Sequence, residues 1–229
     1  MTDHEAVAEI TRFLQDHYIH EAWADRYGVD VGPDPDSLHV RRPGDLLALA
    51  MPGAKVATMC QGFSEMLALR LRERGIRAQA RCGFATYFEK GWYEDHWIVE
   101  YGDGKWADAQ IDDLQRGVLG IGFDTLDLPP GAFLTGPEAW QLVREGGADP
   151  DTFGHDAEYK GDWFIAGDVL KDLVARQGVA TLPWDAWDPM PGPGEEIDLA
   201  LFDDLAAGAR VASVPSKVLN KRRGRFEDL

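Results

Sequence analysis

The chain has 229 residues, with 40 acidic against 23 basic and a formal net charge of −17. At 45% hydrophobic and 10% aromatic residues it has the composition of a globular protein able to bury a sizeable core, which excludes a disordered chain. Phosphate contact needs Lys and Arg, so the acidic balance argues against a general nucleic-acid binder. No apolar run approaches the roughly 20 residues of a membrane span. The start, MTDHEAVAEITRF, has no basic stretch followed by an apolar one, so no signal peptide is expected. Two cysteines, Cys60 and Cys82, are too few for a disulfide framework, and a reduced, cytoplasmic protein is the expectation.

Thr2 or Asp3 caps a helix that carries Ala6, Ile10, Phe13, Leu14 and Tyr18 at helical spacing and ends by Gly28. VGPDPDS is a loop, and an apolar segment from Leu46 to Met51 stops at Pro52-Gly53. From Cys60 the run CQGFSEMLALRLRERG gathers Phe63, Met66, Leu67, Leu69 and Leu71 on one side of a helix, with Gly75 as its stop. IRAQARCGFATYF then alternates through Ala78, Ala80, Cys82, Phe84, Thr86 and Phe88, which is strand period. YEDHWIVEY, GDG and KWADAQI read as a β-hairpin with Gly104 as a left-handed turn residue. If the loop is Gly102–Gly104, Tyr101 faces Lys105, Ile98 faces Asp108 and His96 faces Gln110.

Beyond residue 112 the pattern loosens. DLPPGAFLTGPEAW is a loop leading into a short helix near Pro137–Arg144, and Trp163–Arg176 reads as helical. LPWDAWDPMPGPG is a loop before a final helix over Glu195–Ala206. No Lys or Arg occurs from Gln177 to Ala209, a stretch read as a solvated acidic face. The basic tail, 217–229, holds Lys217, Lys221, Arg222, Arg223 and Arg225 and is expected to fold back or fray. Without repeats or a low-complexity linker, residues 1–229 are expected to form a single α+β domain with helical N- and C-terminal extensions.

Cys60 opens its helix, where the positive end of the helix dipole and nearby amides favour a thiolate. His96 and Asp108 fall on partner strands of the hairpin and share a face as diagonal neighbours. A helix-borne thiol, a strand-borne imidazole and a carboxylate form a nucleophile–base–orienter set. The blander reading is that a lone cysteine and histidine are structural.

Through MCQGFSEMLALRLRERGIRAQARCGFATYF, YEDHWIVEY and WADAQID the chain resembles the transglutaminase-like superfamily of papain-type cysteine enzymes. The matching features are Cys60 opening a helix, the Gly75-Ile76-Arg77-Ala78 turn, His96 with Trp97 and Glu100, and Trp106 with Asp108. The resemblance spans roughly residues 40–205, and FDTLDLPPGAFLTGPEAW, GDWFIAGDVLKDL and LPWDAWDPM look like parts of an uncharacterised bacterial subfamily. It implies a papain/transglutaminase-like core, with the nucleophile helix packed on an antiparallel sheet. It also implies Cys60 as nucleophile, His96 as general base and acid, and Asp108 as imidazole orienter. The family turn commonly has a proline where Arg77 stands, a departure that touches the turn and not the chemistry. The implied activity is acyl transfer or amide hydrolysis through a thioester acyl-enzyme, on a small-molecule or peptide amide or thioester. The alternative is a non-catalytic peptide- or partner-binding module on the same scaffold. Arylamine acetyltransferases also use Cys, His and Asp in this order, but with an Arg-Gly-Gly lead-in where this chain has Ala57-Thr58-Met59.

No cofactor or metal motif stands out. His17 and His20 have H-x-x-H spacing without an HExxH pattern. Cys82 is expected to pack in the core, His39 and His155 to be exposed without partners, and Glu100 to stand behind His96 or at the surface. Trp92, Trp97, Trp106, Trp163, Trp184 and Trp187 are mostly expected in the core. If the acidic side chains face the Cys60 cleft, they steer cationic substrates towards it.

Overall fold

The computed structural model describes residues 2–229. Helices and mostly antiparallel sheets share the chain, an α+β fold as the sequence indicates. Contacts gather in two compact units, Met1–Ala80 with Trp97–Pro129 and Arg81–His96 with Pro130–Leu229.

In the first unit, α1 (Asp3–His17) starts at a capping box: Thr2 Oγ1 accepts from the Glu5 N–H, and Glu5 Oε2 accepts from the Thr2 N–H. Its buried face holds Ala6, Val7, Ile10 and Leu14. The helix ends at His17, well short of the expected Gly28. Tyr18 turns extended and begins β1 (Tyr18–His20), which pairs in parallel with β2 (Val56–Thr58), Ile19 opposite Ala57. A 3-10 helix, Glu21–Tyr27, then runs to Gly28, which is left-handed at φ 66°. The distant β2 pairing overrides the local helical period. Next come α2 (Pro43–Leu47) and α3 (Cys60–Glu73), the latter followed by Gly75 at φ +77°.

β3 (Ala78–Ala85) and β4 (Tyr93–Tyr101) begin or end in this unit, and β5 (Lys105–Ala107) pairs with β4. The hairpin has the expected register, Tyr101 opposite Lys105, Glu100 opposite Trp106 and Val99 opposite Ala107. α4 (Asp113–Leu119), which the sequence pattern did not indicate, is capped by Asp112. One core joins Ile10 and Leu14 of α1, Phe63, Met66, Leu67 and Leu71 of α3, and Val99, Tyr101 and Ala107 of the hairpin. The apolar face of α3 therefore shares its core with the β4–β5 hairpin.

In the second unit β3 continues as a neighbour of β6 (Phe133–Thr135), with Gly83 opposite Thr135. A Cβ on Gly83 would stand 2.1 Å from the Leu134 carbonyl oxygen, so only glycine permits this pairing. The larger sheet has the order β5-β4-β3-β6. Thr135 and Glu138 form a second capping box at α5 (Gly136–Arg144). β7 (Phe153–Gly154) lies parallel to the start of β4. α6 (Asp162–Ala175), β8 (Asp185–Ala186) and α7 (Leu199–Ala206) follow. The last helix begins four residues later than expected because Asp198 takes the cap, accepting from the Leu201 N–H. The core gathers Phe84, Trp140, Phe153, Ile165, Val169, Phe202 and Val218.

The basic stretch does not fray. It forms a hairpin of β9 (Lys217–Asn220) and β10 (Arg225–Asp228), with β8 paired on the other side of β9. Lys217 pairs with Asp228 and Arg225 with Glu227, while Lys221 and Arg222 lie over the rings of Trp163 and Trp184. Among the described residues no helix is long and apolar enough to cross a membrane.

Candidate functional site

Cys60 is the first residue of α3. Met59 before it is extended (φ −108°, ψ 172°) and offers no side-chain oxygen to the first amides, and the first turn carries no acid. The positive end of a 14-residue helix is thus not neutralised by a side chain of its own first turn. Cys60 is 6% exposed. The first turn is pressed against β2. A Cβ on Gly62 would fall 2.0 Å from Thr58 Oγ1 and 3.0 Å from Leu46 Cδ2, so glycine is what lets the helix start here.

Further along the same helix Glu65 is buried, and its carboxyl is pushed up to about 7, chiefly by burial and against the pull of Arg72. Its ordinary value is 4.5. Between these two values the unfolded chain gives up its proton before the folded one does, so stability falls as pH rises through that window. Glu65→Gln is expected to melt higher than the native protein above pH 7, by a few degrees, and no higher near pH 4. Thermal melts across that range check this; a difference independent of pH would contradict it.

His96 lies in β4 and is 2% exposed. Phe88 meets its ring edge-to-face at 4.9 Å and Tyr87 at 6.3 Å, so two aromatic rings keep water from the imidazole. Asp108 is 1% exposed and lies just past the end of β5. The hairpin ladder closes at Val99–Ala107, one pair before the expected Ile98–Asp108. The Asp108 N–H donates instead to the Thr125 carbonyl at 2.7 Å, and its Oδ1 accepts from the Gln110 N–H at 2.9 Å. Gln15 Nε2 holds the next carbonyls, those of Ala109 and Ile111. A rigid turn thus fixes the carboxylate at the hairpin's exit. Cys60 and Asp108 belong to the first unit and His96 to the second, whose boundary falls within β4.

The two histidines expected to lack partners both have one. His39 is buried, with Nε2 2.9 Å from Asp34 Oδ1. His155 is exposed as expected, but Nδ1 stands 3.1 Å from Glu94 Oε1, and this bond raises its pKa to about 9 against the opposing effect of burial. His17 Nδ1 faces the Phe13 carbonyl oxygen at 2.9 Å, and His20 Nδ1 accepts from the Ala22 N–H. Neither takes part in a metal-ligating group. Of the six tryptophans expected mostly in the core, Trp97 and Trp187 are buried, whereas Trp92, Trp106, Trp163 and Trp184 are half-buried.

The sequence reading missed a charged cluster in the second unit. α6 buries Asp168, Lys171 and Asp172 on the face that carries Ile165 and Val169. Arg81 makes two parallel hydrogen bonds to Asp172, at 2.8 and 2.9 Å, and the Cys82 N–H donates to Asp172 Oδ1 at 3.1 Å. Lys171 Nζ donates to Asp168 Oδ1 at 3.1 Å. Cys82 is buried as expected, but beside charges. Burial pushes its thiol up and the Asp168 carboxylate adds to this. Burial and the Asp95 charge likewise raise Asp168. Burial opposes the Lys171 charge, which Asp168 and Asp95 more than restore. The readable signal was three charges at i, i+3 and i+4 inside the apolar run DVLKDLVA. No protein-family model, curated protein or solved structure matches the chain.

Proposed function

We propose that the chain is a cysteine-dependent acyl-transfer or amide-hydrolysing enzyme, with Cys60 as nucleophile, His96 as general base and acid, and Asp108 as the carboxylate that orients the imidazole. The observation that carries this reading is Cys60 at the start of α3, where neither an N-cap side chain nor a first-turn acid competes for the helix's positive end. The aromatic shielding of His96 and the fixed, buried carboxyl of Asp108 support it. So does the α3 face that shares a core with the β4–β5 hairpin, as a papain/transglutaminase-like core with its nucleophile helix on an antiparallel sheet requires.

In this mechanism the Cys60 thiolate attacks an amide or thioester carbonyl while His96 carries the thiol proton. The backbone N–H of Cys60 donates to the oxyanion, and His96 protonates the leaving amine or thiol. Water or an acceptor amine then resolves the acyl-enzyme, His96 taking the proton of the attacking group. The substrate is a small molecule or peptide, and the net charge of −17 favours a cationic one. The reduced state this chemistry needs fits two free cysteines and a cytoplasmic setting.

Iodoacetamide labelling of the native protein near neutral pH, read by peptide mass, tests the reading. Cys60 is expected to be alkylated well before the fully buried Cys82, and His96→Ala to slow that alkylation at least 10-fold. A Cys60 that reacts no faster than a free thiol and is indifferent to His96→Ala would leave only a binding module on this scaffold.

A further inference from the structure

In the second unit, the Cys82 sulfur and one carboxylate oxygen each from Asp95 and Asp168 lie within 4.8 Å of one another. Each stands on a regular element: Cys82 on β3, Asp95 on β4 and Asp168 on α6. Asp168 is fully buried, with its Oδ1 taken by Lys171 and the Cys82 thiol beside it, yet no N–H or O–H donor reaches its buried Oδ2. Asp95 Oδ1 is buried and likewise without a partner. Two carboxylate oxygens removed from water and left without N–H or O–H donors are costly unless something positive meets them.

The charges fit a cation that displaces a proton. Arg81 and Asp172 neutralise one another in their paired hydrogen bonds. Lys171 balances one of the two remaining carboxylates, Asp95 and Asp168, which leaves one negative charge. Burial holds Cys82 as a neutral thiol, and a divalent cation that displaces its proton leaves the cluster neutral.

We propose that Cys82, Asp95 and Asp168 form a binding site for a divalent transition metal of the zinc type. One thiolate with two carboxylates selects zinc or cobalt over magnesium or calcium, because hard cations decline sulfur. Ligand atoms on one tetrahedral zinc stand ~3.5 Å apart, given bonds of about 2.0–2.3 Å, so binding draws these three, now within 4.8 Å of one another, closer together. Lys171 acts as an orienting neighbour: by occupying Oδ1 of Asp168 it leaves Oδ2 for the metal. Three protein ligands leave a fourth position for water. On binding, the Cys82 S–H bond breaks, a sulfur–metal bond forms and the proton passes to solvent. The site does not involve Cys60 and stands apart from the acyl-transfer reading.

The test is a titration of the untagged, metal-stripped full chain with Co2+ at about pH 7.5, where a metal-bound thiol is deprotonated. A sulfur-to-cobalt charge-transfer band is expected to saturate at one equivalent, and Zn2+ to raise Tm by roughly 5 °C or more. Both effects should vanish in Cys82→Ser and persist in Cys60→Ser. Asp95→Asn, at a partly exposed position that folding tolerates better, should weaken Co2+ binding at least 10-fold. Absence of the band in the native protein, its survival in Cys82→Ser, its loss in Cys60→Ser, or unchanged affinity in Asp95→Asn would each overturn the proposal.

Discussion

Cys60→Ala is expected to lower kcat/KM on any amide or thioester substrate by about 10⁴-fold or more while leaving the fold intact. The large loss follows because the thiolate supplies the bond-forming electron pair, and nothing else in the first turn of α3 carries a nucleophile of comparable strength; Gln61, Gly62 and Phe63 follow it. The small structural effect follows because one buried sulfur at a helix start is replaced by a methyl group, a change on the order of 1 kcal/mol. His96→Ala should produce a loss of similar size, and the double variant should be no worse than either single one, because the groups of such a set act as a unit. Intact-mass trapping of an acyl adduct on Cys60, followed by steady-state rates for the variants, provides the measurement. Activity that survives Cys60→Ala would remove the cysteine mechanism.

The second large effect is on stability. Asp172→Ala is expected to cost about 3–5 kcal/mol, read as a lower urea midpoint with unchanged slope. Asp172 is fully buried and serves two donors, the Arg81 guanidinium and the Cys82 N–H. Its removal takes the two-bond partner from a buried guanidinium and orphans a strand amide. Replacing both partners, Arg81→Met with Asp172→Leu, should recover most of the loss, since an apolar pair of similar volume leaves no charge unpaired. If Asp172→Ala unfolds within 1 kcal/mol of the native protein, the ion pair is not holding β3 to α6 as described.

What could be read from the sequence was what depends on neighbours in the chain. The cap at the start of α1, which falls to Thr2 of the two candidates Thr2 and Asp3, the span of α3 and the pairing of Tyr101 with Lys105 are set by residues within a few positions of one another, and each stands as expected. The stop of α1 at His17 was not readable, because its cause is a parallel pairing with residues 56–58. β3 alternates in its residues but is buried on nearly every position, so period alone understates its enclosure. The setting of Cys82 depends on Asp168, 86 positions later, and no local pattern links them. The hairpin register placed His96 and Asp108 on neighbouring strands in the sequence reading, and it stops one pair short because Thr125 captures the Asp108 amide.

The folding of residues 217–229 has a consequence for the molecule's electrostatic character. Read as a loose arm, five cations would form a mobile positive lobe that a polyanion can grasp at a distance. Here Lys217 and Arg225 are matched by Asp228 and Glu227, and Lys221 and Arg222 rest on tryptophan faces. Four of the five cations are thus held in place against the fold. The long-range field therefore carries no swinging counterweight to the chain's excess of acid, and encounters with RNA, DNA or anionic lipid begin under repulsion.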